Sequence, residues 1–296
     1  MSLVPYDDRD GLIWMDGEMV PWRDAKLHVL SHALHYASAV FEGERVYDGR
    51  IFKLTEHSQR LADSAATLGF QLPYDVATVD QASKQVVAAN RIADGYVRPI
   101  AWRGAEMMGV SAQKTHIHLA IAAWPWPVYF TPEARLKGIR MTRGIYQRPS
   151  PTTAPAKSKA AGLYMICTLS KHAAEAKGYD DALMLDYRGL IAEATGANLF
   201  FAIDGKLHTP TPDCFLDGIT RRVAIGLAKA RGIEIVERHI KPEELANAKE
   251  AFITGTAVEI TPVREIDEHS FEVGPITRQL ISDFDALTRQ PAQQAG

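Results

Sequence analysis

The stretch Ile13-Trp14-Met15-Asp16-Gly17-Glu18-Met19-Val20 places two apolar runs on either side of an Asp-Gly pair. Both central residues of a type I′ turn need a positive φ, which Asp and Gly tolerate best, so this stretch predicts a β-hairpin. Asp48-Gly49 and Asp204-Gly205 stand in the same setting further along the chain. Since hairpins join antiparallel strands, we expect antiparallel or mixed sheets, and a doubly wound Rossmann sheet is disfavoured.

Helical segments lie between these hairpins, so the fold class predicted is α+β, with helices packed on the sheets. Gly69, Gly178 and Gly232 each follow such a segment, where a helix end favours a left-handed residue. The expected helices cover residues 55–68, a segment opened by the capping box Thr78-Val79-Asp80-Gln81, and residues 160–177, 219–231 and 276–288.

The chain is long enough for two domains, at 296 residues. The stretch Trp124-Pro125-Trp126-Pro127-Val128-Tyr129 is too rich in proline for a central strand and too apolar for a flexible linker. It therefore predicts a stiff crossing near residue 130. We expect a small N-terminal α+β domain over residues 1–130 that ends in this interdomain loop, and a larger C-terminal domain over residues 131–296.

Composition excludes several classes of protein. A net charge of −3 with 23% charged residues gives no basic patch for nucleic acid or for an anionic membrane. The first residues, Met1 to Asp10, form no apolar run, so a cytoplasmic location is the expectation. Cys167 and Cys214 are the only cysteines, which excludes a disulfide framework and a CxxC zinc site, and we expect no metal.

Two residue settings in the second half of the chain suggest cofactor chemistry. Lys157-Ser158-Lys159-Ala160-Ala161-Gly162-Leu163-Tyr164 offers two amines, followed by small residues that leave room for a flat ring and by a tyrosine hydroxyl. Glu193 lies between apolar runs, where a carboxylate is costly to bury without a partner. A ring nitrogen is one such partner; a carboxylate exposed at a strand end is the alternative.

An anion seat is predicted nearby. The stretch Leu216-Asp217-Gly218-Ile219-Thr220 opens a helix, so the N–H groups of Ile219 and Thr220 are free to bind an anion. Helix capping by Asp217 or Thr220 is the alternative interpretation of these residues. Gly255-Thr256-Ala257 interrupts a strand-like run and indicates a bulge or a close approach to a ligand. An amine, an acid and a phosphate seat are what pyridoxal phosphate requires.

The N-terminal half offers candidates for substrate binding. In the alternating stretch from Tyr36 to Arg45, a strand would place Phe41, Gly43 and Arg45 on one face and Glu42 and Glu44 on the other. Such a face suits an amphiphilic substrate; a half-buried strand with an incidental arginine is the alternative. Tyr96 and Arg98 likewise share a side and could receive a carboxylate, while Arg60 is either a phosphate clamp or part of a solvated helix face.

The order of these motifs resembles the fold-type IV pyridoxal-phosphate enzymes, and among them the bacterial branched-chain amino acid aminotransferases. The likeness covers nearly the whole chain and is specific for the family, less so for the substrate. It is carried by Ile13-Trp14-Met15-Asp16-Gly17, Ser31-His32-Ala33-Leu34-His35-Tyr36, Phe41-Glu42-Gly43, Tyr96-Val97-Arg98-Pro99, Leu216-Asp217-Gly218-Ile219-Thr220-Arg221 and Gly255-Thr256-Ala257-Val258-Glu259-Ile260-Thr261-Pro262-Val263.

The resemblance implies roles for individual residues. Lys159, rather than Lys157, would be the Schiff-base lysine, because the family's lysine stands five residues before its tyrosine, here Tyr164. Leu163 and Glu44 depart from the family, which usually has asparagine and an apolar residue there. The implied cofactor residues are Arg60, Lys159, Tyr164, Glu193, Gly196, Ile219, Thr220 and Thr256; the implied substrate residues are Tyr36, Phe41, Gly43, Arg45, Tyr96, Arg98, Val110, Trp126, Tyr129, Gly255 and Ala257.

The resemblance also implies an activity and a partner. Leucine, isoleucine or valine would donate its amino group to 2-oxoglutarate in a reversible ping-pong reaction, and Met108-Gly109-Val110 would reach the site of a second subunit in a homodimer or larger homo-oligomer. Rivals with the same fold are D-amino acid aminotransferases, (R)-selective amine transaminases and aminodeoxychorismate lyase. A cofactor-free binding protein is the rival from another class.

Overall fold

A computed structural model describes residues 4–126 and 136–289 of the protein. The described residues form two compact units, one of residues 4–126 with Ser158–Gly162 and one of residues 136–157 and 163–289. Lys159 thus belongs to the first unit, whereas the sequence placed it in a C-terminal domain. The domain boundary near residue 130, and Tyr129, lie outside the described residues.

The first unit is built on a seven-stranded antiparallel sheet. Its strand order is β2-β1-β7-β6-β4-β5, and β3 also pairs with β6. The strands are β1 (Leu12–Met15), β2 (Glu18–Pro21), β3 (Ala39–Phe41), β4 (Glu44–Tyr47), β5 (Arg50–Ile51), β6 (Gly95–Arg103) and β7 (Ile117–Pro125).

Helices pack on this sheet and bury its core. They are α1 (His32–Tyr36), α2 (Leu54–Thr67) and α3 (Val76–Ala89), with a 3-10 turn at Trp22–Asp24. Val46 of β4, Leu61 of α2 and Val86 of α3 are fully buried in the same apolar cluster. The capping box predicted at Thr78 is wrong, because α3 begins a turn earlier, where the Asp75 carboxylate accepts a hydrogen bond from the Thr78 N–H at 2.8 Å.

The second unit is built on a mixed sheet of nine strands. Its order is β10-β9-β8-β15-β14-β11-β12-β13, with β16 on β15, and an additional β10–β11 pairing closes six of the strands into a ring. The strands are β8 (Ile139–Arg143), β9 (Asp181–Leu185), β10 (Ile191–Ala194), β11 (Asn198–Ile203), β12 (Lys206–Pro210), β13 (Ile235–Arg238), β14 (Glu250–Gly255), β15 (Glu259–Ile266) and β16 (His269–Ser270).

The helices of the second unit follow the predicted segments with one difference. They are α4 (Met165–Glu175), α5 (Ile219–Ala230) and α6 (Pro275–Thr288), with a 3-10 turn at Pro242–Asn247. A further 3-10 turn, at Ala161–Tyr164, begins in the last two residues of the segment Ser158–Gly162 and leads directly into α4. The helix expected over residues 160–177 is therefore shorter. Its first residues form the tighter 3-10 turn, and Ala160 forms a β-bridge with Val40.

All three Asp-Gly hairpins are confirmed. Asp16 and Gly17 have φ of 50° and 102°, and they join β1 to β2. Asp48-Gly49 joins β4 to β5, and Asp204-Gly205 joins β11 to β12, again with positive φ at both residues. The α+β class with largely antiparallel sheets is therefore confirmed.

Two local predictions are wrong. Trp124 and Pro125 belong to β7, a central strand, because proline at its last residue costs the sheet little. The stretch from Tyr36 to Arg45 is not one strand, since Tyr36 ends α1, Ala37 adopts a left-handed conformation at φ 53°, and the chain leaves strand geometry between β3 and β4. None of the helices in residues 4–126 and 136–289 has the length and apolar character needed to cross a membrane.

Glu44 is a buried acid in the first unit without a hydrogen-bond partner among the described residues. Its side chain is fully buried on β4 opposite Val97, and neither carboxylate oxygen has a hydrogen-bond partner among the described residues. Burial, together with the nearby carboxylates of Glu42 and Asp80, raises the pKa of Glu44 well above its usual value. The carboxyl group is therefore held as a neutral acid.

We expect Glu44→Gln to change how the stability of the protein depends on pH. Because the pKa is raised in the folded state, Glu44 stabilises the fold fully only below its unfolded pKa, and this contribution is lost as the pH rises through the folded pKa. The free energy of unfolding of the wild type should therefore fall relative to Glu44→Gln between pH 4 and pH 8, by about 1.4 kcal/mol for each unit of displacement. Denaturant melts across this range, with the exposed Glu18→Gln as control, should show no such change in the control.

Candidate functional site

The backbone around Lys159 is fixed inside the first unit. Ser158 Oγ donates to the Ser64 carbonyl at 3.0 Å, the Lys159 N–H donates to Ser64 Oγ at 3.0 Å, and the Lys159 carbonyl accepts from the Phe41 N–H at 3.1 Å. The Lys159 Nζ lies 5.0 Å from the centre of the Phe41 ring. Lys157 is exposed instead, so the two amines occupy different environments.

Arg60 is held by a buried carboxylate. Glu42 accepts from Arg60 Nε at 2.7 Å and from Nη2 at 2.9 Å, and from His57 Nδ1 at 2.7 Å. Burial alone would raise the pKa of Glu42, but the Arg60 charge and the His57 hydrogen bond hold it well below its usual value. Burial lowers the pKa of His57, so the neutral imidazole donates through Nδ1.

This network excludes one of the two interpretations of Arg60, that of a residue on a solvated helix face. The bidentate pairing fixes the plane of the guanidinium, so Arg60 is not part of a solvated helix face. Glu42 and His57 were not predicted as site residues. The sequence signal for Glu42 was present in Phe41-Glu42-Gly43, but alternation assigned it only to the face opposite Phe41.

Aromatic rings surround Arg98 in the first unit. Its guanidinium carbon lies 4.9 Å from the Phe41 ring centre, and Arg98 Nη2 donates to the Tyr96 hydroxyl at 3.5 Å. The Tyr96 and Trp126 rings lie 5.2 Å apart. A Cβ at Gly43 would overlap the Tyr96 hydroxyl, so glycine there permits this approach. The predicted grouping of Tyr96 with Arg98 is confirmed.

The other substrate candidates of the first unit lie in two places. Arg45 is buried on β4, with its guanidinium carbon 5.3 Å from the Tyr47 ring centre. Tyr36 is exposed, and its hydroxyl donates to the Met108 carbonyl at 3.1 Å. Val110 is 87% exposed, so the chain's own core does not cover this loop.

Glu193 is buried on β10 in the second unit, so the alternative of a carboxylate exposed at a strand end is wrong. Its Oε1 lies 3.2 Å from Arg148 Nε, and Arg148 is itself buried. On the other side Asn198 Nδ2 lies 3.5 Å from Oε2. Asn198 is also the cross-strand partner of Glu193 where β10 meets β11.

Asn198 connects this carboxylate to the start of α5. Its amide nitrogen donates to the Leu216 carbonyl at 2.9 Å, and its Oδ1 accepts from the Gly218 N–H at 3.1 Å. Gly218 is the N-cap of α5, and no side chain caps the helix. The alternative of capping by Asp217 is wrong, because that carboxylate pairs with Arg221 Nη1 at 2.8 Å.

The first residues of α5 are the predicted anion seat. Ile219 and Thr220 are both buried and open the helix, where backbone N–H groups have no acceptor within the helix. The positive end of the helix dipole adds to the attraction for an anion. The role of these two residues stays a prediction.

Gly255-Thr256-Ala257 forms the turn between β14 and β15. Gly255 pairs with Glu259, and Thr256 to Val258 make the connection. A Cβ at Gly255 would lie 3.2 Å from the Gly196 carbonyl oxygen, so Gly255 and Gly196 are neighbours. Tyr164 is half-buried at the N-cap of α4.

Each unit thus assembles its own group of candidate residues. The first unit contains Lys159, Arg60, Phe41, Tyr96, Arg98 and Trp126, and the second contains Glu193, Tyr164, Ile219, Thr220, Gly255 and Thr256. Arg148 and Asn198 were not predicted. Asn198 was visible as the only amide between Glu193 and Phe200, whereas Arg148 lies 45 residues from Glu193 with no local signal.

Comparisons with a family model and with known proteins identify the same family. The family model described as amino-transferase class IV matches residues 39–266. A probable branched-chain-amino-acid aminotransferase of Rickettsia felis is 40% identical over 294 residues, which cover 98% of this chain and 100% of the relative. The branched-chain-amino-acid aminotransferase of Pseudomonas aeruginosa is 41% identical over 280 residues, which cover 92% of this chain and 91% of the relative.

Solved structures similar to this chain belong to the same family. The structure of Escherichia coli branched-chain amino acid aminotransferase has a TM-score of 0.91 at 38% identity and covers 97% of this chain and 98% of its own. That of the branched-chain amino acid aminotransferase from Thermobaculum terrenum, in its PLP-bound holo form, has a TM-score of 0.86 at 31% identity, with 95% of each chain covered.

We expect Gly218→Ala to weaken binding of pyridoxal phosphate. The added Cβ would overlap Asn198 Oδ1, so the Asn198 side chain would have to move and lose its hydrogen bonds to Leu216 and Gly218. At about 1 kcal/mol for each bond, affinity should fall roughly tenfold or more. Gly226→Ala is the control, because position 226 of the same helix has open space and alanine favours helix there. Absorbance titrations in which both variants bind equally well would contradict the predicted anion seat.

Proposed function

This chain belongs to the class IV amino-transferase family of fold-type IV enzymes, and we propose that it transfers the amino group of leucine, isoleucine or valine to 2-oxoglutarate. The observation that carries the substrate class is the near-complete match to relatives named branched-chain-amino-acid aminotransferase, at 40–41% identity. The products would be the branched 2-oxo acid and glutamate. The donor product would leave before the acceptor binds, as in a ping-pong reaction.

The family depends on pyridoxal phosphate, and the residues present fit this cofactor. It supplies an electron-withdrawing ring when bound. Lys159 would hold it through the ε-amine, and the amine would carry a proton to and from the Cα of the substrate. Support comes from the Lys159 backbone, which two hydrogen bonds with Ser64 and Phe41 fix while the amine lies against an aromatic ring.

Charge placement supports the remaining cofactor roles. Glu193 would accept a hydrogen bond from the protonated ring nitrogen, and a buried, paired carboxylate is suited to that task. Arg60, Ile219, Thr220 and Thr256 would bind the phosphate. Glu42 would orient Arg60 for it, through the bidentate pairing.

The substrate must be recognised at two chemically different ends. The apolar side chain of the donor would contact Phe41, Trp126 and Tyr129, while Arg98 and the Tyr96 hydroxyl would bind carboxylates. Cation–π contact with Phe41 and the hydrogen bond to Tyr96 already hold Arg98 in place. The cytoplasmic location remains a prediction.

A donor panel tests this function. The wild type should transfer the amino group of L-leucine to 2-oxoglutarate and act poorly on D-alanine and (R)-1-phenylethylamine. Lys159→Ala should lose turnover and the absorbance of bound cofactor, whereas Lys157→Ala, at an exposed position, should keep both. Preference for either of the other donors would assign the chain to a rival of the same fold, and trapping of the cofactor on Lys157 with borohydride would overturn the choice of lysine. A protein with no absorbance above the aromatic region would be a cofactor-free binding protein.

We also propose that the enzyme is a twofold homodimer in which each Met108-Gly109-Val110 loop contributes to the other copy's site. His32 Nε2 hydrogen-bonds the Gly109 carbonyl at 2.9 Å, which connects this loop to α1. Exposed apolar side chains lie on this loop, on α1 and on the residues before α1, and a second copy would cover them. They are Leu27, Val29, Leu30, Leu34, Tyr36, Met108 and Val110.

We expect Val110→Asp to weaken dimerisation and substrate binding together, because a carboxylate forced into an apolar contact costs several kcal/mol. Gln71→Asp adds the same charge at another exposed position and should change neither. Sedimentation and Michaelis constants provide the measurement. A fully active wild-type monomer, or a dimeric Val110→Asp with unchanged Michaelis constants, would show that the site is not shared.

A further inference from the structure

Arg148 is a buried cation that the sequence did not assign to any role. Its side chain and that of Glu193 are 3% and 9% exposed, and Arg148 Nε lies 3.2 Å from Glu193 Oε1. Two charges at this depth are stable only as a pair, because either one alone would lose its hydration without compensation. The two side chains therefore depend on each other.

Backbone and side-chain contacts fix the position of Arg148. Its N–H donates to the Leu185 carbonyl at 2.8 Å, which attaches the loop after β8 to the end of β9. At the other end, Nη1 donates to the Leu163 carbonyl at 3.4 Å and to Cys167 Sγ at 3.3 Å. The guanidinium is thus anchored apart from its contact with Glu193, so it can impose an orientation on the carboxylate.

We propose that Arg148 is a positioning residue that keeps Glu193 ionised and oriented to accept a hydrogen bond from the ring nitrogen of pyridoxal phosphate. The part of this inference that concerns the ring rests on the proposed function. The part that concerns the ion pair does not, since it follows from burial and distance alone. Leu163 contributes to this arrangement through its backbone carbonyl.

The physical reason is the cost of burying a lone carboxylate. Without Arg148, burial would favour the protonated form of Glu193, and a neutral acid does not stabilise a protonated ring as a carboxylate does. Conversely, although burial opposes it, the Glu193 charge raises the pKa of Arg148 and keeps the guanidinium charged.

Three other ionisable groups of the second unit lie close enough to matter. Tyr164 and Cys167 act electrostatically on Arg148, and Asp181 acts on Cys167. Burial raises the pKa of Cys167 to about 11, so the thiol stays neutral between pH 5 and pH 8. Asp181 accepts a hydrogen bond from Thr195 Oγ1 at 2.6 Å, which engages its carboxylate. A pH response in this range can therefore be assigned to the pair by removing Glu193.

A double-mutant cycle on the full-length chain without added cofactor tests the pair. Arg148→Met keeps the bulk and removes the charge, so burial favours the protonated form of Glu193, and stability is lost as the pH rises. We expect Arg148→Met to raise the unfolding equilibrium constant about threefold more at pH 8 than at pH 5 for one unit of pKa displacement, because an unfolded glutamate is already mostly ionised at pH 5. In the Glu193→Gln background this pH-dependent part should vanish.

Two further variants sharpen the cycle. Arg148→Lys keeps the charge and should restore most of the pH profile. Arg140→Met breaks another ion pair of the same unit, in which Arg140 bonds to Glu265 at 2.7 Å and 2.9 Å at a partly exposed position, and it should show no such difference between pH 5 and pH 8. An equal effect of Arg148→Met with and without Glu193→Gln would overturn the proposed pairing.

Spectra of the protein loaded with pyridoxal phosphate test the role towards the ring. The pH dependence of the cofactor absorbance in Arg148→Met should shift away from that of the wild type towards that of Glu193→Gln, with Arg148→Lys between them. A wild-type profile in Arg148→Met would overturn this role even if the stability cycle shows coupling. Failure of the unmodified protein to bind the cofactor would overturn the proposed function and the ring role with it, while the stability cycle would still decide the ion pair.

Discussion

A carboxylate removed from water must be matched by a cation or give up its charge, and this constraint organises both groups of candidate residues. Glu42 forms a salt bridge with Arg60, and Glu193 forms one with Arg148; both carboxylates are buried. Glu44, two residues from Glu42, has no such partner among the described residues and is therefore held neutral. Neighbouring glutamates of one sequence thus differ in charge state because of what the fold places beside them.

The segment that contains Lys159 is held by contacts of its backbone and of the Ser158 hydroxyl. The hydrogen bonds with Ser64 and Phe41 incorporate Ser158–Gly162 into the first unit, although the chain on both sides of it belongs to the second. Small side chains suit such a segment, since Ala160 pairs with Val40 in a β-bridge and a Cβ at Gly162 would lie 3.0 Å from Ala37. The alanines and glycine after Lys159 therefore have a packing role as well as leaving room for a ring.

Asn198 shows how one amide can relate two parts of a site. It contacts Glu193 on one side and the N-cap of α5 on the other, so the acid and the anion seat share a single support. The β10–β11 pairing brings this about, because it makes Glu193 and Asn198 cross-strand partners. Movement of either strand would disturb both contacts together.

The sequence by itself determined the local structure and the residue types of the chemistry. Type I′ turns at Asp-Gly pairs and glycine at helix ends follow from backbone sterics, which act within a few residues. The sequence left open whether Glu193 is buried, and only the structure decided it. Tertiary structure alone decided which charges meet. Arg148 with Glu193, Glu42 with Arg60 and the attachment of Lys159 to Ser64 join positions 18 to 95 residues apart. Their distances depend on sheet order and strand register, which no local pattern encodes.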